Sequence, residues 1–220
     1  MTRSVLCLLA VCASLTASDV AYREQFPDGP NAAAAGWKFN HSAQGLNGSK
    51  DDCWGGAPGA KADAAVESDP DDDSALWKGF VWLANGDRYL FWTEERGFKA
   101  GTIEKVTWRL AGKDPEGKVH LALRVNGAWY ASASPVVPDN KPIPEADEVS
   151  VEFSKATWIP FTWSEAQSMP KKLDETAAKL PGGDITAFGF LATSKHETHC
   201  YDNVTVITTR GAADVIQAKK

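Results

Sequence analysis

The sequence predicts an all-β chain: an antiparallel two-sheet β-sandwich of jelly-roll type, with one short helix. Three observations carry this. Apolar and polar residues alternate with period two over run after run, the mark of half-buried strands. The pairs Asn85-Gly86 and Asn126-Gly127 interrupt such runs with the residues that two-residue hairpin turns favour. The runs are also not separated by the regular amphipathic helices of a βα chain, which leaves sandwich architectures. A length of 220 residues with 43% hydrophobic content is enough for one such domain with a real core.

The elements follow in order. Residues 79–83 (GFVWL) and 87–94 (DRYLFWTE) flank Asn85-Gly86 and read as a hairpin. Run 103–110 (IEKVTWRL) sets Val106, Trp108 and Leu110 on one face. After the turn-forming GKDPEGK, run 118–125 sets Val119, Leu121, Leu123 and Val125 on one face and His120, Ala122 and Arg124 on the other. Asn126-Gly127 then turns the chain into Ala128, Trp129 and Tyr130. Further strands are expected at 149–153, 157–163, 185–192 and 202–208. The helix is expected over 171–180 (KKLDETAAKL), with Ser168 as cap, Pro170 near its first turn and Pro181-Gly182-Gly183 as its stop. Stretches 27–36, 48–75 and 132–148 read as loops.

The chain opens with Arg3 and the apolar run VLCLLAVCASL, followed by small residues. This is the pattern of a secretory signal peptide over 1–17, too short to span a bilayer. Cys12 follows Val11, where a lipoprotein signal wants a small residue. The expected divisions are therefore signal peptide 1–17, sandwich domain 18–210 and tail 211–220, in a secreted or periplasmic, monomeric protein without a membrane span. Without the signal, 22 basic residues face 29 acidic ones, a charge of −7. An acidic chain with no basic stripe excludes nucleic acid as the expected partner.

Cys7 and Cys12 leave with the signal, so Cys53 and Cys200 are expected to form a single disulfide. In the chain-entropy model a loop of that length is worth up to about 5 kcal/mol. The alternative is a metal site built from Cys200 with His196 and His199, although a second cysteine and regular ligand spacing are missing.

Nine tryptophans offer either core filling or platforms for sugar rings, whose apolar C–H faces stack on aromatics. Trp82 and Trp108 read as core; Trp129 and Tyr130, just after a turn, are the leading candidate platform, with Trp54 and Trp92 as further candidates and Trp54 alternatively covering the disulfide. His120 and Arg124, with Thr107 and Arg109 expected beside them on a neighbouring strand, form a candidate row of polar donors. The ordinary alternative is a solvated sheet face. The acidic run 67–73 (ESDPDDD) lacks the glycine of a calcium loop and reads as solvated chain. Arg88, Glu94 and Glu95 belong either to the surface of His120 and Arg124 or to a sheet edge; Glu94 and Glu95 are adjacent and so point to opposite faces of a strand, which is no hydrolase pair. No G-x-S-x-G, H-E-x-x-H or P-loop occurs. A lyase would need a Tyr/His pair beside a cation, for which Tyr130, His120 and Arg124 are the candidates. Asn40, Asn47 and Asn203 head N-glycosylation sequons, coincidental if the source is bacterial.

The pieces "YREQFPDG…GWKF", "VHLALRVNGAWYAS", "LPGGDITAFGFLA" and "YDNVTV" together resemble the jelly-roll domains of secreted bacterial proteins, including carbohydrate-binding modules of the galactose-binding-like type. The resemblance implies a two-sheet jelly roll and a structural calcium between the first and last strands, at Glu24 and Asp202. The resulting expectation is a non-catalytic module that recognises an extracellular or cell-wall polysaccharide through Trp129, Tyr130, Arg124, His120 and Arg109. The alternatives are a small polysaccharide lyase or glycoside hydrolase, and an exported structural or adhesive domain without a glycan ligand.

Overall fold

The computed structural model describes residues 18–24, 36–41, 45–46, 81–86, 88–112, 117–141, 145–163, 173, 176–193 and 196–209. The twelve strands in chain order are β1 (Ser18–Glu24), β2 (Trp37–His41), β3 (Gly45–Leu46), β4 (Val81–Gly86), β5 (Tyr89–Lys99), β6 (Ile103–Gly112), β7 (Val119–Val125), β8 (Ala128–Ser132), β9 (Glu148–Glu152), β10 (Trp158–Phe161), β11 (Asp184–Ala192) and β12 (His196–Thr209). One 3-10 turn, Ala100–Thr102, joins β5 to β6. Two antiparallel sheets pack as a jelly-roll sandwich. The first runs β1-β12-β6-β9, with β4 also paired to β12; the second runs β10-β8-β7-β11-β5-β2-β3.

The predicted inward faces are the ones buried between the sheets. Val106, Trp108 and Leu110 of β6 meet Val119, Leu121, Leu123 and Val125 of β7 in one core cluster. Aromatic rings fill its middle: Trp37 stacks on Phe91 with centroids 4.4 Å apart, and Phe190 on Tyr201 at 4.7 Å. Offset and edge-on contacts of this kind add to plain area burial. The Asn126-Gly127 turn is a mirror-image hairpin turn, with φ of 49° and 84°, and it joins β7 to β8 as expected.

Two expectations fail. Residues 79–94 do not form a hairpin, because β4 and β5 belong to different sheets. Both edges of β5 are taken, by β11 and β2, while β4 extends the partner surface of the 14-residue β12. Asn85-Gly86 therefore lies within the end of β4, where Gly86 pairs with His196. Nor are Leu173 and 176–180 helical. Ala178 instead exchanges both backbone hydrogen bonds with Trp158 on β10, at 2.7 and 2.9 Å, so tertiary pairing overrides local helix propensity. The signal segment 1–17, Trp54, the acidic run 67–73 and the tail 211–220 lie outside the described residues, as does Cys53 and with it the expected disulfide. No described helix is long and apolar enough to cross a membrane.

The second sheet is unusual in carrying apolar layers on both faces. Its outer face holds Leu90, Trp92, Ala122, Trp129, Ala131, Trp163, Ala187 and Leu191. Gly189 sits at the centre, in register between Trp92 and Ala122. A Cβ there would meet the Phe91 carbonyl oxygen and lie 2.5 Å from Trp92 Cα, backbone that cannot swing aside. Gly189→Ala is therefore expected to destabilise the fold by roughly 2–3 kcal/mol, read as a lowered urea midpoint at unchanged slope. A variant as stable as the parent contradicts this packing.

Candidate functional site

The outer face of the second sheet is built by strand alternation and register. Glu94, Ala187, Arg124, Trp129 and Phe161 form one continuous cross-strand row over β5, β11, β7, β8 and β10. The adjacent row runs Lys38, Trp92, Gly189, Ala122, Ala131 and Ile159. Four small residues in these two rows leave room for indoles to lie on the sheet. Trp163 packs edge-on against Trp92 at 4.7 Å and against Trp129 at 5.7 Å, and Phe161 lies 5.9 Å from Trp129. Leu173 packs on the same layer.

A polar network runs along the edge of this layer. Glu94 takes Lys38 Nζ on one carboxylate oxygen at 3.1 Å and Arg124 Nη1 on the other at 3.2 Å. Arg124 Nε donates to the Thr186 hydroxyl at 2.9 Å, and Thr186 stands at the bulge between Ile185 and Ala187. The guanidinium carbon lies 5.7 Å from the Trp129 ring centroid, a cation–π contact. Burial pushes the Glu94 carboxyl up, but Lys38 and Arg124 together outweigh it and hold the group below the usual carboxylate range. The three charged side chains remain partly open to solvent, Lys38 at 39%, Glu94 at 27% and Arg124 at 28%.

The sequence-predicted site residues separate. Trp129 is on this face but only 4% exposed, so it supports Arg124 and the indole layer instead of offering a free platform. Tyr130 points the other way and packs against the inter-sheet core. His120 is on the outer face, 6% exposed, with Nδ1 2.6 Å from the Ser132 carbonyl and Nε2 3.2 Å from the Thr193 hydroxyl. Arg109 and Thr107 are not beside them: β6 belongs to the first sheet, where Arg109 is in register with Asp202 and Glu148. The Tyr130, His120 and Arg124 group expected of a lyase is thus split across two faces. Glu94 does share the surface of His120 and Arg124, one of the two places the sequence left open for it, whereas Lys38 and Thr186 were not singled out by sequence. Their only local signal is an alternating polar position, and the contacts that bring them in span 56 and 62 residues.

Glu24 and Asp202 are each engaged. The Tyr22 hydroxyl donates to Glu24 at 3.3 Å. Asp202 Oδ1 accepts the Asn203 backbone N–H at 2.5 Å, at a bulge where Asn203 adopts φ 56°. Burial raises the Asp202 carboxyl, while that N–H and Arg109 oppose the rise. Calcium takes six to eight oxygens, and among the described residues no three His, Cys, Asp or Glu side chains converge. His199 Nδ1 lies 2.7 Å from the Tyr89 hydroxyl, which also bonds the Tyr201 hydroxyl, all deep between the sheets. Burial raises both phenols, removing them as bases near neutral pH. Asn40 is 1% exposed, closing that sequon in the folded chain.

Because the Ser132 carbonyl can only accept, Nδ1 of His120 carries the proton and Nε2 accepts from Thr193. Burial lowers the folded-state pKa below the ordinary 6.5. The unfolded chain takes up its proton first as pH falls. The histidine's contribution to stability is therefore present above about pH 6.5 and lost as pH drops through and below it. Between about pH 7.5 and 5.5, wild type is expected to lose stability with a slope from this group of up to about 1.4 kcal/mol per pH unit. His120→Asn, which keeps a donor for Ser132, is expected to lack that component in paired urea titrations; equal slopes contradict the assignment.

No protein-family model matches the chain, and no curated protein sequence does. Among solved structures it is similar to the family 11 carbohydrate-binding module of the cellulosomal cellulase Lic26A-Cel5E of Clostridium thermocellum, at 13% identity and TM-score 0.42, over 60% of this chain and 76% of that one. The solution structure of CtCBM11 gives 10% identity and TM-score 0.39, over 60% and 77%. The CBM22-1–GH10 part of Clostridium thermocellum xylanase 10B, complexed with xylohexaose, gives 15% identity and TM-score 0.30, over 65% of this chain but 23% of that one. At these values the likeness transfers no residue role to this chain.

Proposed function

We propose that this chain is an exported, monomeric, non-catalytic domain that recognises an extracellular or cell-wall polysaccharide through the outer face of its seven-stranded sheet. The observation that carries the reading is the row Lys38–Glu94–Arg124, held partly open on a rigid indole layer. A carboxylate between two cations suits vicinal sugar hydroxyls: one hydroxyl donates to Glu94 while its neighbour accepts from Arg124 or Lys38. Thr186 and the Trp129 face hold the guanidinium in place, so little side-chain freedom is lost on binding. The platform role expected of Trp129 thereby becomes a supporting one. His120 and Arg124 lie on the opposite sheet face from Tyr130, so no observation favours the lyase or hydrolase alternative. A Cys53–Cys200 disulfide and cleavage after the leader belong to the same reading, and non-reducing mass spectrometry of exported protein tests both.

The binding test is an array of soluble plant and bacterial polysaccharides, followed by calorimetry on any hit. Arg124→Ala and Glu94→Gln are each expected to weaken binding at least tenfold, about 1.4 kcal/mol or more. Arg124→Lys is expected to rescue little, because an ammonium cannot keep the planar contacts to Glu94, Thr186 and Trp129 together. No retention on any polysaccharide, or unchanged binding by both Arg124→Ala and Glu94→Gln, overturns the reading.

A further inference from the structure

A second cleft lies at the side of the sandwich, between the chain leaving β8 and edge strand β9, with a volume of 340 Å³. That is within the range of small-ligand pockets and ample for one or two sugar rings. Backbone hydrogen bonds fix its walls. The Val119 and Val136 peptides exchange bonds of 2.9 and 2.7 Å, and Ala133 N–H reaches the Thr157 carbonyl at 2.8 Å. The Glu152 carbonyl accepts from Lys155 and Ala156, closing the turn that forms the far wall. The cleft exists before any ligand arrives.

Its chemistry is amphipathic. Val136, Val151 and Ala156 line it and pack onto the inter-sheet core, giving an apolar floor. Ser134 and Thr157 line the same cleft, and neither side chain makes a hydrogen bond to a described residue. Glu152, ion-paired with Lys155, stands at the same rim. A pyranose ring has this division, with an apolar C–H face and an equatorial girdle of hydroxyls. Glu152 and Lys155 balance each other's charge at the rim, which suits a neutral ligand over an ionic one.

We infer that this cleft is a second ligand site, distinct from the Lys38–Glu94–Arg124 row, that takes a single neutral sugar residue. Lacking an aromatic wall, it binds weakly, with a dissociation constant on the order of 1 mM. Two sites on different faces would let one chain hold two strands of a polymer, with avidity set by their spacing.

The test is a nitrogen-15 amide titration of the whole mature chain with methyl β-glucoside, β-galactoside, β-xyloside and α-mannoside, each to about 50 mM. At least one is expected to shift the Ser134, Val136, Ser150 and Thr157 amides saturably. Ser134→Trp, an aromatic at an exposed loop position that lines the cleft, is expected to fill the cleft and weaken the response at least tenfold. Thr157→Val is expected to weaken it two- to fivefold with unchanged thermal stability. Arg124→Ala is expected to leave it intact, which separates this site from the outer face. Absence of saturable shifts in the cleft with all four sugars, including shifts confined to the Arg124 row, overturns the inference, as does an unchanged response in Ser134→Trp.

Discussion

The close approach of β5 and β11 at Gly189 governs the second sheet. On one side Phe188 and Phe190 enter the inter-sheet core, and on the other Trp92 and the indoles packed on it cover the same backbone. A strand buried on both faces has no polar side to spare, and β11 accordingly reads as a near-continuous apolar run with a missing side chain at its centre. That gap allows Trp92 to lie flat against the sheet, and Trp92 in turn sets the position of Trp163 and Trp129. Arg124 rests on Trp129, and Glu94 is fixed between Arg124 and Lys38. The candidate binding row is thus the outermost shell of an arrangement whose innermost element is a glycine hydrogen atom.

The first sheet depends on β12. This strand pairs with β4 in its first half, β1 in its second and β6 along most of its length. A strand serving three partners needs a local adjustment of twist, and the bulge at Asp202 and Asn203 supplies it. Asparagine tolerates the left-handed backbone there, and the Asp202 carboxylate binds the N–H that the bulge turns away from the ladder. The two residues that look out of place in a strand are the bulge itself.

Much of the core was legible because strand periodicity is a local property. Alternation alone put Val106, Trp108 and Leu110 on one face of their strand and Val119, Leu121, Leu123 and Val125 on one face of theirs, and Asn126-Gly127 announced its own turn. The same logic failed at Asn85-Gly86 and at 171–180, where local preference was sound but distant strands competed for the backbone. Site residues were harder still. Alternation separated Arg124 from Leu123 correctly, yet it could not say that β6 lies in the other sheet, so Arg109 was grouped with residues it never approaches.

Taken alone, the chain's order of residues determined the strand class, the inward faces, one hairpin and the absence of a recognisable catalytic motif, since each depends on neighbours a few positions apart. Tertiary structure alone decided that Trp92, Trp129 and Trp163 are covered on the outer face and which carboxylate meets which cation. Those depend on strand order and register between segments dozens of residues apart. Trp129 makes the point: its position after a tight turn suggested exposure, but three neighbouring aromatic side chains, brought from β5, from the end of β10 and from just beyond it, bury it. A sheet has two faces, and only the packing of the whole chain determines which of them water reaches.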